Sequence, residues 1–217
     1  MSSLVKTVLS QQIIDSLRDR IIAGGFEAGQ PIRQDALAAE LGISKIPLRE
    51  AFAKLEQEGL IVSQANRGFF VSPLSVVEAL DVFELRLKLE PAASAAASAR
   101  ATDEERGAAR AALAELDAAM LAGQRSVGAL NRMFHLALIR PCGRPVTAQL
   151  LSRLLLLSER YTVKHLEPRG QLVRARAEHL GLLEAWSAGE AAEVERLIAA
   201  HISGTRDDLV SQLEVTG

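Results

Sequence analysis

The apolar positions of this chain fall into two successive regimes. Residues 9–23 repeat at helical spacing, with Ile14, Leu17 and Ile21 on one side, and Gly24 and Gly25 close the run. Leu37, Ala38 and Leu41 give a second, short stripe ended by Gly42, where a sharp turn often places glycine. Ser44 stands as the next N-cap. Pro47 falls in the first turn, where a missing N–H does little harm. Leu48, Ala51 and Leu55 then form an inward seam. LIVSQ, ANRG and FFVS read as strand, turn and strand, a two-stranded hairpin. The stretch SPLS at 72–75 is the linker candidate, because Pro73 blocks continuation of the hairpin strand.

Beyond the linker the rhythm is helical throughout. Six helices are expected, over about 76–100, 102–123, 126–140, 145–166, 168–187 and 190–213. Pro91 lies inside the first and is expected to kink or split it. Thr102 and Glu105 open the second as a capping box. The alanine-rich run 92–101 reads as close helix packing. The fold class is therefore mostly α. A winged helix-turn-helix occupies residues 1–74, and an all-α antiparallel helical bundle occupies 75–217.

Composition adds constraints. Of 217 residues, 48% are hydrophobic, ample for two cores, and the net charge is −2. Basic and acidic residues balance over 1–74, and acids exceed bases by two over 75–217. Any nucleic-acid binding must come from a local patch. The single cysteine, Cys142, excludes an intrachain disulfide and reads as a small core residue. No signal peptide and no spanning apolar run is evident, so a cytoplasmic protein is expected.

Local chemistry points to DNA. Lys45 and Arg49 are four apart and share a face of the second helix of the pair, away from its seam. A helix pinned by such a seam, with cations beside its N-terminus, suits the major groove. Ser44 and Ile46 lie beside them, and Arg33 opens the preceding helix. Gly68 lets the hairpin tip approach a surface closely, and Arg67 could reach a phosphate or the minor groove.

The bundle carries a second constellation. Asn131 and His135 project from one helix face; His179 lines up with Leu172, Ala175, Leu183 and Trp186; His201 lines up with Val194, Leu197 and Ile198. One inward histidine is usually a satisfied core residue. Three on three helices make either such a core or a site for a divalent transition metal. Glu178, adjacent to His179, is expected to point elsewhere. Arg86 lies on an apolar face with Val82, Leu89 and Ala93. It either pairs with Glu90 one turn on or clamps a carboxylate ligand. Arg144 either alters ligand selectivity or faces solvent, His165 reads as surface, and Trp186 as core.

The motif SKIPLREAFAKLEQEGLI followed by NRGFFV resembles the GntR family of bacterial transcription regulators. Ser44, Lys45, Pro47, Leu48, Arg49, Glu50 and Ala51 match its pattern. Lys45 stands where arginine is commoner, keeping the charge but losing the fork that grips guanine. Ile46 stands where threonine is commoner and offers apolar contact, as to a thymine methyl. Residues 76–213 resemble the FCD effector domain of the FadR branch, through ELRLKLEPAA, NRMFH, EH and the histidine of AAHI.

The FCD resemblance implies a metal held by Asn131, His135, His179 and His201, zinc or nickel above all. Asn131 takes the place of the usual aspartate, so either weaker binding or a shifted metal preference is expected. It also implies that Arg86 lines an effector cavity. The function expected is a ligand-responsive regulator, a repressor of a catabolic operon. It would bind a palindromic double-stranded DNA operator as a homodimer and be released by a small carboxylate. A metalloenzyme using the histidines and an architectural DNA-binding dimer are the alternatives.

Overall fold

The computed structural model describes the backbone of residues 2–124, 126–165 and 169–216, and the side chains of 10–124, 126–162 and 173–212. The chain forms two compact units, Met1–Ser75 and Val76–Gly217.

In the first unit, helix α1 (Ser2–Ile22) begins ahead of the expected start near residue 9. No glycine or proline interrupts residues 2–8. Ile13, Ile14, Leu17 and Ile21 are buried. Helices α2 (Gln34–Leu41) and α3 (Lys45–Gln57) follow, joined through Gly42 in the left-handed conformation at φ 65°. Leu48, Ala51, Phe52 and Leu55 of α3 are fully excluded from solvent, at about 1.5–3 kcal/mol for each large side chain. Ser44 occupies the N-cap position in extended conformation, but its side chain makes no capping bond. Arg18 grips Glu58 at the end of α3 with two N–H donors, at 2.9 and 2.8 Å, tying α1 to α3.

The wing differs from the two-stranded expectation. Strands β1 (Pro31–Ile32), β2 (Ile61–Gln64) and β3 (Gly68–Val71) form one antiparallel sheet in the order β1-β3-β2. Pro31 pairs with Phe70 and Ile32 with Phe69. A two-residue strand has no readable alternation. Proline at a sheet edge costs little, since its missing N–H need not serve the ladder.

The second unit has six α-helices among the described residues: α4 (Val76–Ser98), α5 (Asp103–Leu121), α6 (Val127–Ile139), α7 (Pro145–His165), α8 (Arg169–Ala188) and α9 (Ala191–Thr216). A 3₁₀ turn at Arg140–Cys142 follows α6. Pro91 is buried and does not split α4. Thr102 and Glu105 form the reciprocal capping box. Helix α4 is central and packs on α6, α7 and α9. Its Ala93, Ser94, Ala97 and Ser98 are buried, and side chains this small leave room for α9. No described helix is long and apolar enough to cross a membrane.

Candidate DNA-binding face and histidine cluster

The buried seam of α3 decides what its other face presents. Lys45, Ile46 and Arg49 are exposed, Ile46 at 71%. The wing tip turns through Asn66 at φ 60°, with the Arg67 N–H donating to the Gln64 carbonyl at 3.0 Å. Gly68 follows at φ 89°, a conformation that side-chain-bearing residues resist. The Arg67 guanidinium lies over the Phe70 ring, 5.4 Å from its centre, so it is steered along the wing.

A cleft of about 610 Å³ lies between β1, the starts of α2 and α3, and the wing tip. Arg33, Lys45, Arg67 and Gly68, separated by up to 35 positions in sequence, all line it, together with Gln34 and Asp35. Ser44, Ile46 and Arg49 are outside its lining. Sequence reading missed Asp35, whose carboxylate sits 2.6 Å from the Lys45 ammonium. Both side chains are largely exposed, so the pair contributes ~0–1 kcal/mol and opens readily for a phosphate. An acid in the first turn of α2 reads by default as a helix-dipole partner, which hid this contact.

In the bundle, α6, α8 and α9 bring His135, His179 and His201 together. Their candidate ligand atoms lie within 4.8 Å of one another, and all three residues are buried. Ring centres are 5.6 Å apart for His135 and His179, 5.3 Å for His135 and His201, and 4.8 Å for His179 and His201. Phe134 meets the His179 ring edge-on at 5.2 Å. Asn131 sits one turn before His135 and is half-buried.

Two carboxylates back the cluster. His135 Nδ1 lies 2.7 Å from Glu90 Oε1, and His201 Nδ1 lies 2.7 Å from Glu178 Oε2. The expectation that Glu178 points elsewhere is therefore corrected. Its side chain reaches across to α9 and meets His201, a member of the same cluster as its neighbour His179. Arg86 Nε donates to Glu90 Oε2 at 2.8 Å and Arg86 Nη1 to Ser158 Oγ at 3.1 Å. The pairing with Glu90 is thus present, and Arg86 is only 5% exposed.

The electrostatics follow from this layout. Burial alone would raise the Glu90 pKa, but the Arg86 guanidinium and His135 overcome it and hold it down at about 2. Burial lowers the His135 pKa against the pull of Glu90. Burial and the two neighbouring imidazoles push His179 well below its ordinary 6.5. Neutral imidazole is the form that ligates metals.

The test of fit is what these rings lack. His135 Nε2 and both nitrogens of His179 are buried without a hydrogen-bond partner. Each such orphan costs about 1–3 kcal/mol, so three in one place mark a site built for something else. Coordination bonds of about 2.0–2.1 Å place ligand atoms about 3.4 Å apart in a tetrahedral site. The rings need to close by roughly an ångström to hold zinc. The three histidines fit a divalent cation by donor type and placement.

Among the other expected positions, Arg144 is exposed. Cys142 is buried. Trp186 is fully buried and donates its indole N–H to the Leu138 carbonyl at 3.0 Å. The His165 and Leu172 side chains lie outside the described residues.

Comparison with known proteins agrees with this anatomy. Residues 9–71 match the model of bacterial regulatory proteins of the gntR family, and residues 81–204 match the FCD domain. The Nta operon transcriptional regulator of Aminobacter aminovorans is 37% identical over 138 residues, 62% of this chain and 63% of that protein. The HTH-type transcriptional repressor GlaR of Escherichia coli is 30% identical over 150 residues, 67% of this chain and 68% of that protein. The matched stretch spans less than two thirds of the first of these. Among solved structures, E. coli McbR/YncC superposes with a TM-score of 0.82 at 21% identity, covering 94% of this chain and 98% of that one. At that identity the likeness speaks for the fold alone. From its two domain matches and its relatives, the chain belongs to the gntR family of bacterial regulatory proteins, in the branch whose second domain is an FCD domain.

Proposed function

We propose that the chain is a ligand-responsive, sequence-specific DNA-binding transcription regulator acting in the cytoplasm. It represses a catabolic operon and is released by a small carboxylate bound in a metal-holding bundle. The observation that carries the DNA half is the cleft uniting Arg33, Lys45, Arg67 and Gly68 beside the outward face of α3. Lys45 and Arg49 read the major groove, Ile46 meets a thymine methyl, and Arg33 and Arg67 hold phosphates. Two copies place two such helices in successive major grooves, which calls for a palindromic operator. The relative named as an operon regulator supports control of an operon, and the one named a repressor supports the direction of control.

The bundle half rests on the three orphaned histidine nitrogens. One divalent cation per subunit, zinc or nickel, is held by His135, His179 and His201, with Asn131 as a weak fourth ligand. Such a cation supplies a Lewis-acidic anchor for an anionic ligand, and Arg86 stands beside the same cluster. The family is one of regulators, which removes the metalloenzyme reading. The nearest carboxylates, Glu90 and Glu178, are already engaged with histidine Nδ1 atoms and are not free as general bases.

Gel retardation with the chain's own upstream DNA, at fixed salt, tests the first half. Arg49→Ala is expected to lose specific binding, about 1–3 kcal/mol per half-site. Unchanged affinity removes α3 as the reading helix. Elemental analysis of protein purified without chelator tests the second half. His179→Ala that keeps as much metal as the parent places the site elsewhere.

A further inference from the structure

Two chains of histidine, carboxylate and arginine flank the cluster, and they are built alike. The first runs from His135 Nδ1 to Glu90 at 2.7 Å, from Glu90 to Arg86 Nε at 2.8 Å, and from Arg86 to Ser158 at 3.1 Å. The second runs from His201 Nδ1 to Glu178 at 2.7 Å and from Glu178 to Arg174 Nε at 3.3 Å, and Arg174 also bonds Asp208. His179 has no such backing; it packs against Phe134 and the other two rings.

A carboxylate offers only acceptors, so a neutral imidazole facing it through Nδ1 must carry its proton there. We propose that Glu90 and Glu178 are positioning residues that lock His135 and His201 as Nδ1–H tautomers. Their Nε2 lone pairs are thereby presented to a cation, and Glu90 is the stronger lock. Glu90 is fully buried, whereas the Glu178 side chain is 34% exposed. Carboxylates in this position orient the ring and raise its basicity as a ligand. Here they also supply negative charge near a site where Asn131 supplies none. The consequence for metal rests on the proposed metal site. The tautomers themselves belong to the metal-free chain, so the two ideas fail separately.

The amide replacement makes the idea sharp. In Glu90→Gln one end of the side chain accepts and the other donates. Arg86 has no acceptor, so it takes the amide oxygen. The amide NH₂ is left facing His135 Nδ1, which must then accept. The proton moves to Nε2, and the lone pair that would ligate is lost to the cluster. In Glu178→Gln the longer 3.3 Å arginine contact and the access of water leave the amide free to turn either way.

The experiment has two readouts on the full chain. The first is long-range ¹H–¹⁵N NMR of the histidines after chelation, at about pH 8, above the ordinary histidine range. The second is competition titration with zinc. The parent is expected to show His135 and His201 as Nδ1–H forms. Glu90→Gln should convert His135 to the Nε2–H form and weaken zinc about 10–100-fold. Glu178→Gln should give His201 a mixture of forms and a loss of under about tenfold. A parent His135 already in the Nε2–H form overturns the proposal. So does a Glu90→Gln protein that keeps both tautomer and zinc affinity. If Glu90→Gln does not fold, His201 in Glu178→Gln decides: a ring still wholly Nδ1–H sinks the idea. A parent that binds no zinc removes the metal reading of the bundle, while the tautomers still judge the locks.

Discussion

His179 is the residue on which the bundle's chemistry turns. It is 2% exposed, neither ring nitrogen has a partner, and two imidazoles crowd it. Its depressed pKa gives a pH signature in the metal-free protein. Above 6.5 the ring is neutral folded or unfolded, so it adds no pH-dependent term. Below 6.5 the unfolded ring takes a proton that the folded one refuses, and stability is lost as pH falls toward the folded value. His135, also lowered, adds in the same direction, while Glu90 is ionised both folded and unfolded between about pH 5.5 and 7.5 and contributes no pH dependence there; its own term is lost only below 4.5, toward about 2. Chelated protein should therefore melt several degrees lower at about pH 5.5 than at about pH 7.5, and His179→Phe should shrink the difference. Equal melting temperatures for the parent at both values would show that the ring is not held neutral. Asn131→Asp is a separate test of the same site: restoring a charge beside His135 should tighten zinc, read by the same competition titration. The three histidines were legible because helical spacing put each on an apolar stripe. Glu178 was set aside because neighbours on one helix diverge by about 100°, which says nothing about reach to the next helix. Glu90 was read as the partner of Arg86, but its second oxygen meets His135 45 residues away, a contact no local spacing encodes.

At the scale of elements, α3 shows how one helix separates stability from recognition. Leu48 and Arg49 are neighbours in sequence and lie about 100° apart around it, one fully buried and one exposed. Leu48→Ala should cost about 2–5 kcal/mol in the first unit through the cavity it leaves. Arg49→Ala should leave thermal unfolding within about 0.5 kcal/mol of the parent while losing operator binding. Calorimetry beside gel retardation checks both, and a destabilised Arg49→Ala would mean that the arginine holds the fold. The seam of α3, the Gly42 turn and the capping box at Thr102 could all be read in advance because each is a local pattern with a fixed period or offset. Strand β1 could not. Its two residues gain their structure from pairing with β3, and that pairing carries Arg33 to the edge of the cleft. The Ser44 position was right for an N-cap, but its hydroxyl makes no capping bond and leaves the first turn of α3 with donors to spare.

At the scale of the whole molecule, the proposed regulator needs its bundle to respond to an acid and its reading head to feel that response. Trp186 is placed to report the first step. It is fully buried on α8, seven residues and roughly 10 Å along the axis from His179. Its indole N–H is bonded to the Leu138 carbonyl on α6, the helix that carries His135. In the proposed metal site, an acid joining the cation would alter how the three histidines close on it and so the spacing of α6 and α8, which the tryptophan bridges. Titration of zinc-loaded protein with short hydroxy, keto and dicarboxylic acids should shift its fluorescence for at least one of them. Arg86→Lys keeps a positive charge beside Glu90 but loses the fork that matches a carboxylate, so that response should weaken about tenfold. The same acid must change DNA affinity by a factor equal to the change that DNA makes in acid affinity, since coupling between two sites is reciprocal. Gel retardation with and without the acid measures one side and fluorescence titration with and without operator DNA the other. Matching factors above about fivefold support a sensor. An acid that moves the fluorescence yet leaves DNA binding unaltered refutes the regulatory coupling. A bundle that binds no acid, with zinc or without it, favours a second unit that serves only to hold two DNA-binding heads together.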